Sequence, residues 1–168
     1  MAKKFLLDIQ PEPAFYTFLG ISCHLKDYRL SYLINHQLGY QFIRKDDLIT
    51  RSFNRKIEAG FSFYQFNDED NYCFCFLLSN RSEEFILVPE MKQVDFMMIV
   101  DGEIKRSRKE QVLKQIRSIP NVLTSFEIQV QEIKNHASLL SDLEMHVTFI
   151  NRAEKLMYQP KQMTGIIK

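Results

Sequence analysis

The feature that most constrains the fold is a pair of aromatic runs in the middle of the chain, at residues 61–66 and 72–78. Aromatic side chains favour strands, because they pack well on a pleated surface. The polar residues between the runs, Asn67-Asp68-Glu69-Asp70-Asn71, are typical of a loop that closes a β-hairpin. Fourteen Phe and seven Tyr with no Trp extend this aromatic bias to the whole chain. We therefore expect a core built on an antiparallel sheet.

Two helices are predicted beside this sheet. Apolar residues recur at helical spacing over 26–38, and Gly39 supplies the C-terminal stop. The second helix is expected to begin at Ser107-Arg108-Lys109-Glu110, a capping box in which the Ser and Glu side chains bind free backbone N–H groups. An apolar stripe follows the box, and Pro120 prevents the helix from continuing.

Further extended segments are predicted on the same grounds. They lie at residues 3–9, 15–22, 40–44, 85–88, 94–100 and 122–130, with a turn at 10–13 and no assignment for 46–59. Residues 94–130 thereby form a strand-helix-strand unit, which at the level of the fold resembles half of a ferredoxin-like or small-molecule-sensing regulatory domain. The predicted class is α+β, with a mainly antiparallel sheet and two packed helices.

The C-terminal segment fits two patterns. Apolar residues alternate with polar ones over 143–149, which favours a strand. A helix fits too, but it would leave Met145, Phe149 and Leu156 opposite its core-facing side. We expect a single α+β domain over 1–135 and a segment, 136–168, that packs on this domain or on a second subunit. Its apolar content favours a homodimer, formed through this segment or through a sheet edge.

Composition and charge narrow the class of protein. The chain has 168 residues, a size at which one domain is the usual arrangement. Lys and Arg total 22 against 21 Asp and Glu, so no net field draws the chain to nucleic acid or to a membrane. Its beginning lacks the apolar region of a signal peptide, and its apolar runs are too short to span a bilayer. Three Cys are most simply reduced thiols, so we expect a cytoplasmic protein.

The sequence contains few candidate catalytic or metal-binding residues. Cys23 and His24 are adjacent, and neighbouring side chains of an extended segment point to opposite faces, which argues against a catalytic pair. Cys73 and Cys75 share one face of a predicted strand, where a packed core is favoured over zinc. The four His have no ligand spacing. The sequence predicts no catalytic residue, metal or cofactor.

Residues 103–117 carry a local excess of positive charge that includes Lys105, Arg106 and Lys109. Exposed helix faces are charged by default, so the favoured interpretation is a solvated face. The alternative is a surface that contacts phosphates of RNA. Because the aromatic residues of 61–76 occupy both faces of their strands, they suit a core better than a stacking platform, and the sequence disfavours nucleic acid as a partner.

The loop Pro89–Asp95 places two carboxylates, Glu90 and Asp95, at a short break between apolar strands. Such acids keep a turn hydrated or cap free N–H groups. Because unpaired acids beside apolar strands would cost desolvation energy, we expect Glu90 or Asp95 to pair with a basic side chain, Arg29 first.

Three stretches carry a family resemblance. Val88-Pro89-Glu90-Met91-Lys92-Gln93-Val94-Asp95-Phe96 resembles the signature of the bacterial IPExxxVDY family, with Val88 in place of Ile and Phe96 in place of Tyr. The resemblance extends to Gly20–Leu30, which contains Asp27 and Arg29, and to Ile119–Ile128, and it covers about residues 3–135. The family has no established function, so the resemblance implies no catalytic residues.

The sequence therefore favours a non-catalytic cytoplasmic binding or regulatory module, whose protein or small-molecule partner it does not specify. Pro89, Glu90, Asp95, Asp27 and Arg29 form the candidate binding loop and its neighbours. Two alternatives stay open. One is an RNA-associated accessory protein that uses the basic face, and the other is an enzyme that uses Cys23, His24, Glu90 or Asp95.

Overall fold

The computed structural model describes residues 15–52 and 56–157. They form a six-stranded antiparallel sheet and three helices, which confirms the α+β class and the mainly antiparallel sheet. The elements are β1 (Tyr16–Cys23), α1 (Asp27–Leu38), β2 (Ile43–Arg51), β3 (Glu58–Asp68), β4 (Cys73–Ser79), β5 (Phe96–Asp101), α2 (Arg106–Arg117), β6 (Val122–Ile128) and α3 (His136–Met157). The strand expected at 3–9 and the turn at 10–13 lie outside the described residues.

The strand order is β2-β3-β4-β5-β1-β6. Both β5 and β6 are antiparallel to β1, so they are parallel to each other, and α2 connects them across the sheet. This confirms the strand-helix-strand unit of 94–130. The order of β1, α1, β4, β5, α2 and β6 is the βαββαβ arrangement of ferredoxin-like domains. The β2–β3 pair extends that arrangement at one edge.

Two apolar clusters sandwich the sheet. On one face, α1 and α2 cover a cluster that contains Leu30, Ile34 and Ile116. On the other face, α3 covers a cluster that contains Phe63 and Ile150. Aromatic residues of the β3–β4 hairpin serve both clusters, because successive side chains of a strand point to opposite faces. The predicted hairpin and its use in the core are therefore confirmed.

The helix expected at 26–38 is confirmed as α1, and Gly39 ends it in the left-handed conformation, with φ of 70°. The strand expected from Tyr40 begins only at Ile43. Asn35 explains the delay, because its side chain accepts from the Phe42 N–H (2.8 Å) and donates to the Phe42 carbonyl (3.1 Å). These bonds tie the backbone of Phe42 to α1 instead of to a neighbouring strand.

The strand expected at 85–88 is wrong, since only an isolated bridge joins Ile86 to Arg81. Asn80 diverts the backbone of this segment. Its carbonyl accepts the Leu87 N–H and its side-chain oxygen accepts the Val88 N–H, both at 2.8 Å. The segment therefore wraps around one side chain.

The capping box expected at the start of α2 is also wrong. The N-cap position lies two residues earlier than expected, at Lys105, whose side chain makes no cap, and the helix begins at Arg106. Ser107 consequently lies inside the first turn, where it cannot act as an N-cap. Glu110 instead accepts a hydrogen bond from Arg106 at 3.0 Å, one turn away.

The strand favoured for 143–149 is wrong as well, and the helical alternative is correct. Residues 136–157 form α3, a third helix where two were expected. Leu139, Leu143 and Ile150 of this helix pack into the core on the face that α1 and α2 leave open. Within residues 15–52 and 56–157, no helix combines the length and apolar content that crossing a bilayer requires.

Candidate functional site

The loop that resembles the family signature is folded around Asn80, which is fully buried just after β4. The Asn80 side-chain amide donates to the carbonyls of Met91 (3.0 Å) and Val94 (2.9 Å). Residues Pro89–Met91 form a single turn of 3-10 helix within this loop. Since a buried amide is costly unless its hydrogen bonds are satisfied, Asn80 fixes one conformation of the loop.

Asp95, at the end of the loop, accepts hydrogen bonds from one backbone amide and from one basic side chain. Its Oδ2 accepts the backbone N–H of Cys23 at 2.9 Å, and its Oδ1 accepts from Arg81 Nε at 2.6 Å. The prediction that Glu90 or Asp95 pairs with a basic side chain is therefore confirmed for Asp95. The choice of Arg29 is wrong, because Arg29 lies over the ring of Tyr32, 5.6 Å from its centroid.

The stretches that resemble the family meet around β1. A β-carbon at Gly20 would lie 2.9 Å from Val94 Cγ2, so this glycine makes room for the loop. Ser22 donates to the Gln93 carbonyl, and the Ile21 carbonyl accepts the Asp95 N–H. On the other side of β1, β6 carries most of the third stretch. The three stretches therefore form one packed unit.

A cleft of about 550 Å³ opens beside this unit, on the face of the sheet that α1 and α2 cover only in part. Its floor is made of small residues of the strands, including Gly60, Ser62 and Ser79. Its walls are the start of α1, the 81–84 segment and Asp47 of β2. Small side chains on the floor leave the space that larger residues would fill.

The charge of the cleft is mainly negative. Two bases, Lys26 and Arg81, line it against five acids, which are Asp27, Asp47, Glu83, Glu84 and Asp95. Part of this charge is compensated within the chain. Arg81 pairs with Asp95, and Arg44 pairs with Asp47 and lies 3.9 Å from Asp27. Glu83 and Glu84 are not in the ion pairs of the described residues and leave an acidic surplus.

The residues of the candidate binding loop are therefore only partly brought together. Asp27 and Asp95 line the cleft. Pro89 and Glu90 line a different cavity, of about 340 Å³, between the end of β2 and the start of α3. Arg29 is exposed on α1 and lines neither. The sequence missed Asn80 and Arg81, because a polar pair after an apolar run looks like an ordinary turn.

The Cys23–His24 pair has little capacity for nucleophilic chemistry. Cys23 is 6% exposed whereas His24 is exposed to solvent, so the two side chains lie in different environments. Burial raises the pKa of the Cys23 thiol, with a smaller contribution from the charge of Asp95. Because the thiolate is the nucleophilic form, a raised pKa disfavours reaction.

The basic face on α2 is partly neutralised. Arg106 pairs with Glu110 at 3.0 Å, and Lys109 pairs with Glu127 of β6 at 2.8 Å. Lys105 is exposed and has no such pair among the described residues. The aromatic cluster beside α2 is packed inward, with Phe42 only 5% exposed.

Among residues 15–52 and 56–157, no three His, Cys, Asp or Glu side chains are grouped closely enough to hold a metal ion. Cys73 and Cys75 do share one face of β4, as expected, and both contact the cluster under α1 and α2. Comparison of the chain with protein-family models and with curated proteins finds no match.

Proposed function

We propose that this chain is a non-catalytic binding or regulatory module of the cytoplasm and that the cleft beside the Asn80 loop is its binding surface. The observation that carries the proposal is that the polar side chains beside the cleft form hydrogen bonds within the chain and so keep the cleft in one shape. Asp95, Arg81 and Asn80 are bound to one another's segments or to backbone groups, so they hold a shape. A cleft floored by small residues lies open beside them.

The charges favour a ligand that carries an amino or guanidino group. Glu83 and Glu84 lie on one wall of the cleft and Asp27 on another. A cation between these walls gains charge-assisted hydrogen bonds, whereas a phosphate or carboxylate meets repulsion. Clefts of this size, at about 550 Å³, fall in the range that binds small molecules.

The test is binding of arginine, spermidine and lysine, with citrate and inorganic phosphate as anionic probes. Thermal unfolding and NMR titration of the full chain report the binding. We expect an amine to raise the unfolding temperature and the anions to leave it unchanged. Ser62→Gln fills the cleft floor and should abolish the shift. Leu123→Gln, on the exposed surface of β6, is the control and should retain it.

If no amine raises the unfolding temperature at millimolar concentration, the cationic ligand is wrong. If the shift is the same in Ser62→Gln and Leu123→Gln, the ligand binds elsewhere and the cleft is wrong. Selective stabilisation by an anion would favour a phosphate or carboxylate ligand.

Two other functions rank lower. An RNA-associated role would use Lys105, Arg106 and Lys109, but two of these three already have acidic partners. Reversing the three to Glu should abolish any RNA binding and flatten its salt dependence. For an enzyme of unknown type, the part of the chain that the structure describes offers no assembled nucleophile and base. Membership of the bacterial IPExxxVDY family is likewise a proposal, supported by the packing of the three similar stretches around β1.

A further inference from the structure

The outer side of α3 carries an apolar stripe that nothing in the described residues covers. Met145, Phe149 and Leu156 are 67%, 65% and 72% exposed. Isolated apolar residues on a surface are normal, but several in one contiguous patch mark an interaction site. These residues lie on the side of the sheet opposite the cleft, so the inference is independent of the proposed ligand.

The spacing of the stripe is that of a helix-helix seam. Positions 145, 149, 152 and 156 are separated by four, three and four residues, the alternation found in coiled coils. Arg152 occupies one of these positions. The core-facing residues Leu139, Leu143 and Ile150 occupy the other side of the helix. Helix α3 therefore has two apolar sides. One packs into the core, and the other is exposed to solvent.

We propose that α3 packs against α3 of a second copy of this chain in an antiparallel pair. A two-fold axis between residues 150 and 151 would place Met145 against Leu156 of the second copy. The same axis would place the Phe149 ring against the Arg152 guanidinium, a favourable cation–π arrangement. Each contact occurs twice by symmetry, as an isologous interface requires.

Charge complementarity supports this orientation. The exposed charge in the first half of the stripe is acidic, at Glu144, and the exposed charges of the second half are basic, at Arg152 and Lys155. An antiparallel pair brings the acidic half of one helix to the basic half of the other. A parallel pair would align like charges, which costs stability.

The sheet edges are poorer places for a second copy. The β2 edge carries charged residues, has a register shift between Lys45 and Leu48, and contacts α3. The β6 edge has an irregularity opposite Ser22 and Cys23. Charges and bulges are the features that block strand addition at an edge.

The expected dimer is weak. One helix pair buries less than the roughly 1,600 Å² of a standard stable interface, so association belongs in the micromolar range or weaker. Sedimentation velocity of the full chain between about 5 and 500 µM should show a reversible monomer-dimer equilibrium. Phe149→Asp should weaken dimerisation by at least about tenfold, because it places a charge at the centre of the seam.

Leu123→Asp is the matched control, because Leu123 is 63% exposed against 65% for Phe149 and lies on the β6 edge. It should leave the equilibrium unchanged. Loss of the dimer in Leu123→Asp but not in Phe149→Asp would transfer the interface to the sheet edge and overturn the proposal. Circular dichroism should give both variants the helix content of the parent chain. If Phe149→Asp is misfolded, Arg152→Glu replaces it as the disrupting variant.

Disulfide trapping tests the orientation. In a Cys73→Ser background, a mixture of Met145→Cys and Leu156→Cys chains should cross-link to each other faster than either does to itself. Faster self-cross-linking of each variant would mean a parallel pair and would overturn the antiparallel geometry. A full-length chain that stays monomeric at 500 µM overturns the dimer altogether, whether another segment of the chain or a lipid surface covers the stripe.

Discussion

The helices α2 and α3 cover opposite faces of the same sheet, but their outer sides differ. The inner side of α2 is apolar at Val112, Leu113 and Ile116, and its outer side is charged. The inner side of α3 is apolar at Leu139, Leu143 and Ile150, and its outer side is apolar too. A charged outer side is satisfied by water and needs no partner. This difference is the basis of the proposed pairing of α3 with a second copy of the chain.

The largest expected effect tests whether both helices belong to one core. Ile116 and Ile150 are 0% and 5% exposed, on α2 and α3 respectively. Replacing either by Ala should lower the free energy of unfolding by about 2–4 kcal/mol, through lost burial and a cavity. Urea denaturation of each variant measures the loss.

Leu123→Ala, at an exposed position, should change the free energy of unfolding by less than about 0.5 kcal/mol. A loss below about 1 kcal/mol for Ile150→Ala, beside a full loss for Ile116→Ala, would contradict the shared core. It would make α3 a peripheral helix whose position depends on the second copy.

A smaller loss of stability is expected when the ion pair that joins each helix to the sheet is broken. Lys109 of α2 pairs with Glu127 of β6, and Lys45 of β2 pairs with Glu154 of α3. Both pairs are only partly exposed, so Lys109→Gln and Lys45→Gln should each cost about 0.5–1 kcal/mol at low salt. The cost should shrink in 1 M NaCl, because salt screens the attraction.

Lys105→Gln is the control for these variants, since Lys105 is exposed and has no ion pair among the described residues. Equal unfolding free energies for all three variants at low salt would show that neither pair holds its helix. A cost for Lys45→Gln alone would make α3 the helix that depends more on charge.

The smallest effect is a pH dependence at the α3 side of the sheet. Burial, and secondarily the charge of Glu144, raises the pKa of Asp101 above its ordinary value of 3.8. The folded state therefore holds the proton more tightly than the unfolded state, and stability falls as pH rises from 3.8 through the folded pKa. Asp101→Asn removes this loss, so it should raise the unfolding temperature slightly at pH 7 and leave it unchanged at pH 3.

Asp70→Asn, which removes a carboxylate from the hairpin tip, is the control for the loss of charge. The gain of Asp101→Asn at pH 7 should be smaller than either effect above. A gain that is equal at pH 3 and pH 7 would mean that the ionisation of Asp101 is not its cause.

Much of the fold could be predicted because its signals are local. Two aromatic runs around a polar loop gave the β3–β4 hairpin, and helical spacing before Gly39 gave α1. The predictions failed where a distant group competes with a local pattern. Asn80 takes the N–H groups that a strand at 85–88 would have used for pairing. The second face of the sheet offers α3 a surface on which to pack, and this favours the helix over the strand that alternation over 143–149 had favoured.

In the candidate site, too, local patterns could be predicted from the sequence, whereas contacts between distant residues could not. The family-like stretches marked Asp95 and Asp27 as candidate site residues, and the desolvation cost of an unpaired carboxylate predicted a basic partner. Which base is that partner depends on the path of the chain after β4, which places Arg81 and not Arg29 beside Asp95. Glu90 belongs to the same loop but lines another cavity, because it lies in the turn Pro89–Met91 at the start of the loop.

The sequence by itself determined the aromatic, sheet-based core, the hairpin, two of the helices and the strand-helix-strand unit of 94–130. Periodicity and turn residues suffice for these features because they act over a few residues of the chain. Tertiary structure alone decided that residues 136–157 are helical, that Asn80 organises the 88–95 loop, and that Asp27 and Asp95 share a cleft. Each of these depends on groups that are distant in sequence, and no local preference specifies which distant groups will meet.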